Sequence, residues 1–166
     1  LEIRKIKVED ALQYNNYLQS VLSETDYLTS VRGTFRSTVD QTKEIIEKQL
    51  INNRYINLVA INDQEIIGNL TLSANPKQKE YHVASFGISV RKAYYQQGIA
   101  SALLARGIEE ARAIQVKRIE LEVVEENIPA IQLYQKFGFI KEGVRNKAFY
   151  INGKYHNLFY MYLWLD

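Results

Sequence analysis

Cysteine is absent from the chain. That excludes disulfides, thiolate metal sites and a cysteine nucleophile together, so any group transfer must be direct or use another nucleophile. Histidine occurs twice, at His82 and His156, too widely separated and too poorly accompanied to suggest a metal site. No apolar run approaches the ~20 residues a bilayer span requires, and no signal peptide is evident; the cytoplasm is the expected location, with no membrane partner. A surplus of one charge is missing too. The 21 Lys and Arg against 19 Asp and Glu leave +2, with no basic run, so nucleic acid is not an expected partner. The first residue is Leu1 rather than Met, which suggests a trimmed start.

What is present suits one globular domain spanning 1–166. Hydrophobic residues make up 46% of the chain and charged residues 24%, enough apolar material for a real core. The twelve tyrosines, dense around 94–95 and 149–162, are good strand residues and are expected to pack on a sheet. A strand-like start at Ile3, Ile6 and Val8 gives way to helical spacing through Ala11, Tyr14, Leu18 and Leu22. The polar stretch 20–37, with Gly33, reads as a loop. Thr38 followed by Gln41 forms a capping box ahead of a helix through Ile45, Ile46 and Leu50. Strands are expected over 55–61 and 65–73, joined as a hairpin through Asn62-Asp63-Gln64, and again over 81–90. From Gly98 onward, Ala100, Leu103, Leu104, Gly107, Ile108 and Ala111 keep one helical face. Ile119, Leu121 and Val123 alternate with Glu120 and Glu122, as in a strand with one apolar side. Asn152-Gly153 is the favoured type I′ turn between two final strands. The fold class is therefore mixed α/β (α+β), with strands outnumbering helices.

Two segments carry the chemistry. Tyr95-Gln96-Gln97-Gly98-Ile99-Ala100-Ser101 is a small-residue turn opening the long helix. Bare amides in a first helical turn, aided by the helix dipole, favour an anion such as a pyrophosphate. It is neither a P-loop nor a GxGxxG fingerprint, and glycines precede many helices for structural reasons alone. The second segment, 127–139, has Asn127 as N-cap, Pro129 in the first turn, Tyr134 on the helix and Gly138-Phe139 closing it. By itself it reads as a capped amphipathic helix packed on a sheet, with Tyr134 either a core aromatic or a proton donor.

Taken in order and spacing, strand 81–90, the turn at 95–101, the long helix, strand 117–124, Asn127-x-x-Ala130-x-x-Leu133-Tyr134 and Gly138-Phe139 resemble the GCN5-related N-acetyltransferase (GNAT) superfamily, and within it the ribosomal-protein and small-amine acetyltransferases. The resemblance implies a mostly antiparallel twisted sheet of six to seven strands flanked by about four helices. It implies acetyl-CoA as co-substrate, no metal, and an amine acceptor that is a small molecule or a protein N-terminus. Within this reading a polyamine or diamine is an alternative acceptor, and a non-catalytic CoA-binding sensor is an alternative role. Backbone groups of Ile88 and Val90 would pair with the pantetheine arm. Amides of Gln96, Gln97, Gly98, Ile99, Ala100 and Ser101 would hold the pyrophosphate. Asn127 would bond the cofactor near its reactive end, and Tyr134 would protonate the departing thiolate. Tyr95 departs from the Arg or Gln usual at the head of this turn.

An incoming ammonium must lose a proton before it can attack. Glu122 stands where ribosomal-protein acetyltransferases carry a catalytic glutamate, and is the implied base; it could equally be a solvated strand carboxylate. Glu24 and Asp26 are alternatives as amine-binding carboxylates, and His82 as a relay or a packing residue. Lys141, Arg145, Lys147 and Lys154 are expected on solvent faces. Asn157 occupies a position where acidic residues are frequent. A homodimer is a family habit.

Overall fold

The computed structural model describes residues 1–28 and 37–166. One seven-stranded sheet organises them. In chain order the elements are β1 (Glu2–Lys5), α1 (Ala11–Glu24), α2 (Val39–Leu50), β2 (Tyr55–Asn62), β3 (Glu65–Ala74), β4 (Val83–Val90), α3 (Ile99–Ala113), β5 (Arg118–Val124), α4 (Ile128–Lys136), β6 (Ile140–Ile151) and β7 (Lys154–Trp164). The strand order is β1-β2-β3-β4-β5-β7-β6. Neighbours run antiparallel except β4 and β5, which α3 connects as a parallel crossover.

Local chemistry explains the boundaries. Before α1, the Asp10 carboxylate accepts from the Lys7 amide at 2.7 Å and from the Arg4 guanidinium at 2.7 and 2.9 Å. The capping box at α2 forms as the residues predict: Gln41 N–H donates to Thr38 Oγ1 at 3.2 Å, and Thr38 N–H to Gln41 Oε1 at 2.9 Å. Both hairpin turns place two consecutive residues at positive φ, Asp63 and Gln64 at 47° and 66°, Asn152 and Gly153 at 48° and 79°. That matches the right-handed twist of the strands they join.

Helices cover both faces of the sheet. On one side α3 and α4 close a core around Leu58, Leu70, Leu72, Leu103, Leu104, Ile119 and Met161. Gly107 brings α3 close there, since a β-carbon on it would meet Leu70 at 3.0 Å. On the other side α1 and α2 bury Tyr14, Tyr17, Val21 and Ile46 against Val59 and Ile66. A polar network bridges α1 and the sheet there: Tyr14 hydroxyl donates to Asn69 Oδ1 at 3.1 Å, and Asn69 Nδ2 donates to Asn57 Oδ1 at 2.7 Å. Such a network is tolerable in a core because its members are paired.

Some expectations shift. The stretch beginning at Ser20 is not all loop. α1 runs on to Glu24 because Val21 and Leu22 extend its buried stripe while Ser20 and Ser23 lie off it. The remainder of that expected loop, 29–36 with Gly33, lies outside the described residues. β1 ends at Lys5; Ile6 enters the α1 core and Val8 starts a single helical turn. β4 begins at Val83, two residues later than expected, after a helical turn at Gln78–Glu80. In α2, Ile46 is fully buried, but Ile45 and Leu50 are exposed.

Candidate active site

The site originates in a strand pair that comes apart. β4 pairs with β5 across Val83, Ala84 and Ser85 only, opposite Arg118, Ile119 and Glu120. Beyond Ser85, β4 stays bonded to β3 as far as Val90, while β5 stays bonded to β7 as far as Val124. The two strands therefore open a cleft of about 1150 Å³ between them, lined by 85–90, 120–124, the turn before α3, and α4.

Strand alternation tells which backbone groups face that cleft. Asn75 N–H donates to Val83 O at 2.8 Å, and Arg91 N–H to Ile67 O at 2.9 Å, so odd-numbered residues of β4 point their polar groups at β3. His82 O accepts from Lys117 and Arg118 N–H at 2.8 and 3.0 Å, so even-numbered residues point at β5. No register shift interrupts β4 between these ends. Phe86, Ile88 and Val90 thus present N–H and C=O to the opening, where β5 no longer answers them.

At the mouth of the cleft, Gly98 caps α3 with φ 79° and ψ 1°. The first backbone amide that the helix consumes there is Ala102 N–H, which donates to Gly98 O at 3.0 Å. The amides of Ile99, Ala100 and Ser101 precede it, and Gln96 is turned to φ 60°. A β-carbon built on Gly98 would meet nothing within 4 Å, so protein packing does not explain the glycine. Its conformation and the empty space above it do. Gln96, Gly98, Ile99, Ala100 and Ser101 line the cleft. Gln97 is not among its lining residues; its side chain turns back to donate to Ala93 O at 3.2 Å.

Across the cleft, Asn127 accepts from Ala130 N–H at 3.4 Å through Oδ1, capping α4. Its Nδ2 makes no hydrogen bond among the described residues. About two helix turns further, the Tyr134 ring packs edge-on to Phe86 at 5.7 Å and beside Phe139 at 5.7 Å. The side chain is 7% exposed, lines the cleft, and has no hydrogen-bond partner among the described residues. Burial pushes its phenol up to about 12, well above the value near 10 expected of a free tyrosine.

The carboxylates are distributed less simply. Glu122 faces the cleft from β5, opposite Tyr160 on β7, and meets one Arg145 nitrogen at 3.3 Å. Glu24 also lines the cleft, but it is committed: Lys92 N–H donates to its Oε2 at 2.7 Å, and Arg91 lies 3.9 Å from Oε1. Tyr95 sits nearby, and burial followed by the Glu24 charge raises its phenol. Asp26 accepts from Asn152 at 3.2 Å beside a second cavity of about 430 Å³ that it shares with Glu24 and His156. His82 is not brought to the site; it packs against Trp164 at 6.2 Å, at the far end of β4. Among the described residues no cluster of metal-ligating side chains occurs, and no helix is long and apolar enough to cross a membrane.

Two features escaped the sequence reading. The Tyr17 hydroxyl donates to Ser89 O at 2.9 Å and lies 2.8 Å from Ser89 Oγ, fixing the end of β4 to α1. The available signal was its place between Tyr14 and Val21 on the buried stripe. Arg145 is exposed, as expected, and from that solvent face it also reaches Glu122.

Comparison with known proteins fits this geometry. A family model for the acetyltransferase (GNAT) family matches residues 24–139. The chain belongs to that family. Among curated relatives, L-amino acid N-acetyltransferase AaaT of Escherichia coli is 41% identical over 105 residues, covering 63% of this chain and 65% of its own. Spermidine N(1)-acetyltransferase of Vibrio cholerae is 33% identical over 81 residues, covering 48% of this chain and 47% of its own. The matched regions thus span less than two thirds of these GNAT relatives. A GNAT-family acetyltransferase from Streptococcus pneumoniae superposes with a TM-score of 0.94 at 29% identity over 99% of both chains.

Proposed function

We propose that this GNAT domain, spanning 1–166, transfers acetyl from acetyl-CoA directly to a primary amine of a small molecule or a protein N-terminus. The observation that carries the reading is the opened β4 edge leading to the free amides at Gly98. A pantetheine arm is a chain of amides, and it matches the outward N–H and C=O of Ile88 and Val90 as a missing strand would. A pyrophosphate matches the amides from Gln96 to Ser101, including the Gln97 amide, and the positive end of α3. No protein atom lies within 4 Å of where a β-carbon on Gly98 would sit, which leaves the amides of this turn open to such a group.

Acetyl-CoA supplies the activated acetyl group as a thioester. An Ile88 N–H aimed into the cleft is suited to donate to the acetyl oxygen as charge gathers there. Glu122 accepts the proton that the ammonium must lose, because the neutral amine is the nucleophile. Asn127, with a free Nδ2, orients the reactive end. The amine nitrogen bonds to the thioester carbon; as the C–S bond breaks its electrons pass to sulfur, to which Tyr134 donates a hydrogen bond, and the proton shed by the acylated nitrogen completes the CoA thiol. With no cysteine in the chain, direct transfer within one ternary complex is the consistent route.

A polyamine or diamine acceptor is a second reading, favoured by Glu24, Glu120, Glu122 and Glu142 on the cleft wall. The arginines paired with these groups weigh against it, since Arg118 meets Glu120 and Glu142 and Arg145 meets Glu122. A cytoplasmic enzyme and a homodimer belong to the same proposal; β6 is an edge strand with Ile140, Val144 and Tyr150 exposed. CoA release against a panel of amino acids, peptides and polyamines tests the reading. Tight acetyl-CoA binding without release for any amine would favour a sensor instead.

A further inference from the structure

We infer that Arg145 is the specificity residue for the acceptor, and that the acceptor is an α-amino acid whose carboxylate it holds while Glu122 receives the ammonium. This rests on the acetyltransferase reading above. Glu122 and Arg145 stand on adjoining parts of one sheet face: Glu122 is opposite Tyr160, Tyr160 is opposite Gly143, and Arg145 follows two residues on. One guanidinium nitrogen meets one carboxylate oxygen at 3.3 Å, and the side chains are 51% and 39% exposed. A single-contact pair this open to water contributes little on its own. A zwitterion supplies both charges at short spacing, so its ammonium replaces Arg145 at Glu122 and its carboxylate replaces Glu122 at Arg145. The guanidinium then gains a planar, bidentate partner it lacks in the resting pair.

The backbone is shaped to aim this arginine. β6 slips register against β7 twice, between Lys141 and Gly143 and again after Arg145, which faces Leu158; the next pair is Phe149 with His156. Residues 146–148 therefore bulge out opposite Asn157 alone. Asn157 pins the bulge, accepting from Lys147 N–H at 2.9 Å and donating to Glu125 at 3.0 Å, and Lys147 takes φ 52°. A bulge beside a site commonly re-aims the neighbouring side chain. Arg118, a second arginine on this face, is already shared by Glu120 and Glu142. Arg145 is thus the cation with an unfilled fork next to the base.

The test compares L-amino acids with their amides, which keep the amine and lose the carboxylate, in the wild type, Arg145→Met and Arg145→Lys. The wild type is expected to favour acids over amides at least tenfold in kcat/KM. Arg145→Met should erase that preference by raising KM for the acids at least tenfold, leaving KM for the amides within about threefold. Arg145→Lys should recover part of the preference. Equal losses on acids and amides, or a wild type that uses polyamines or amides but not acids, would overturn the inference while leaving the acetyltransferase reading intact. Absence of CoA release with every amine would bring down that reading, and this one with it.

Discussion

Replacing Tyr134 with phenylalanine separates chemistry from folding more cleanly than any other change at the site. The ring sits between Phe86 and Phe139, and its hydroxyl has no hydrogen-bond partner among the described residues. Tyr134→Phe therefore breaks no hydrogen bond. The residue lines the open cleft, so removing the hydroxyl should change stability by no more than about 1 kcal/mol. Stability should hold, to within roughly 2–4 °C in Tm for a chain of this size. Catalysis should fall. A phenol pushed up to about 12 remains protonated throughout the working pH range and is a competent donor. It is also a reluctant one, because an ordinary thiol lies near ~8.5 and full transfer to a solvated thiolate is uphill by roughly 5 kcal/mol. The burial that raises the phenol also penalises the thiolate formed beside it, which narrows that gap. The larger part of the contribution is then a hydrogen bond to sulfur as charge develops, and losing one such donor costs about 10²–10³ in kcat. Affinity for acetyl-CoA should change little. Release of the CoA thiol can be followed with a thiol-reactive chromophore, without background from a protein that has no cysteine. Turnover within threefold of wild type, or a Tm lowered by several degrees, would refute the reasoning.

Gly98→Ala should fold with a penalty on the order of 1–2 kcal/mol, from holding an L-residue at φ 79° with no clash to relieve. Its β-carbon enters the space over the amides, so the Kd for CoA by calorimetry should rise at least tenfold; an unchanged Kd would remove the turn from cofactor binding. Alkaline stability offers a further check. Burial raises the phenols of Tyr14 and Tyr134 to about 12 in the folded state, against about 10 when unfolded. Their contribution is fully present below pH 10 and is lost as pH rises through 10 to 12, by roughly 3 kcal/mol for each. Denaturant melts across that window should show a smaller loss in Tyr134→Phe than in wild type, and equal losses would contradict the assigned burial effect.

Element identity was largely legible because local chemistry and tertiary demand agree. Thr38 with Gln41, Asn127 with Ala130, and Asn152-Gly153 are caps and turns whose geometry depends on a few neighbouring residues. The end of α1 was harder to read, since Ser20, Ser23 and Glu24 look like loop unless Val21 and Leu22 are known to be buried. At the cleft, Gly98, Asn127 and Tyr134 sit within short motifs that single them out, and the fold brings all three to its wall. Arg145 and Tyr17 are not singled out in this way, because their partners, Glu122 and Ser89, lie 23 and 72 residues away. Long-range pairs of this kind follow from strand order, and β5-β7-β6 is not the order of the chain. The raised phenol of Tyr134 was equally hidden, being a consequence of Phe86 and Phe139 closing around the ring.

The same topology favours one of the candidate bases in the proposed mechanism. A general base must present a lone pair to the proton it takes, and a carboxylate oxygen already hydrogen-bonded within the protein has fewer to offer. Glu24 is engaged on one oxygen by the Lys92 amide, with Arg91 beside the other. That contact ties the end of α1 to the connection between β4 and α3, which leads into the Gly98 turn. Glu122 carries one long contact to an exposed arginine and no backbone donor among the described residues. It stands on the strand that has parted from β4, across the opening from the Ile88 amide. On the proposed reading, Glu24 is the brace that holds the end of α1 to the connection before the Gly98 turn, and Glu122 is the carboxylate left open toward the cleft.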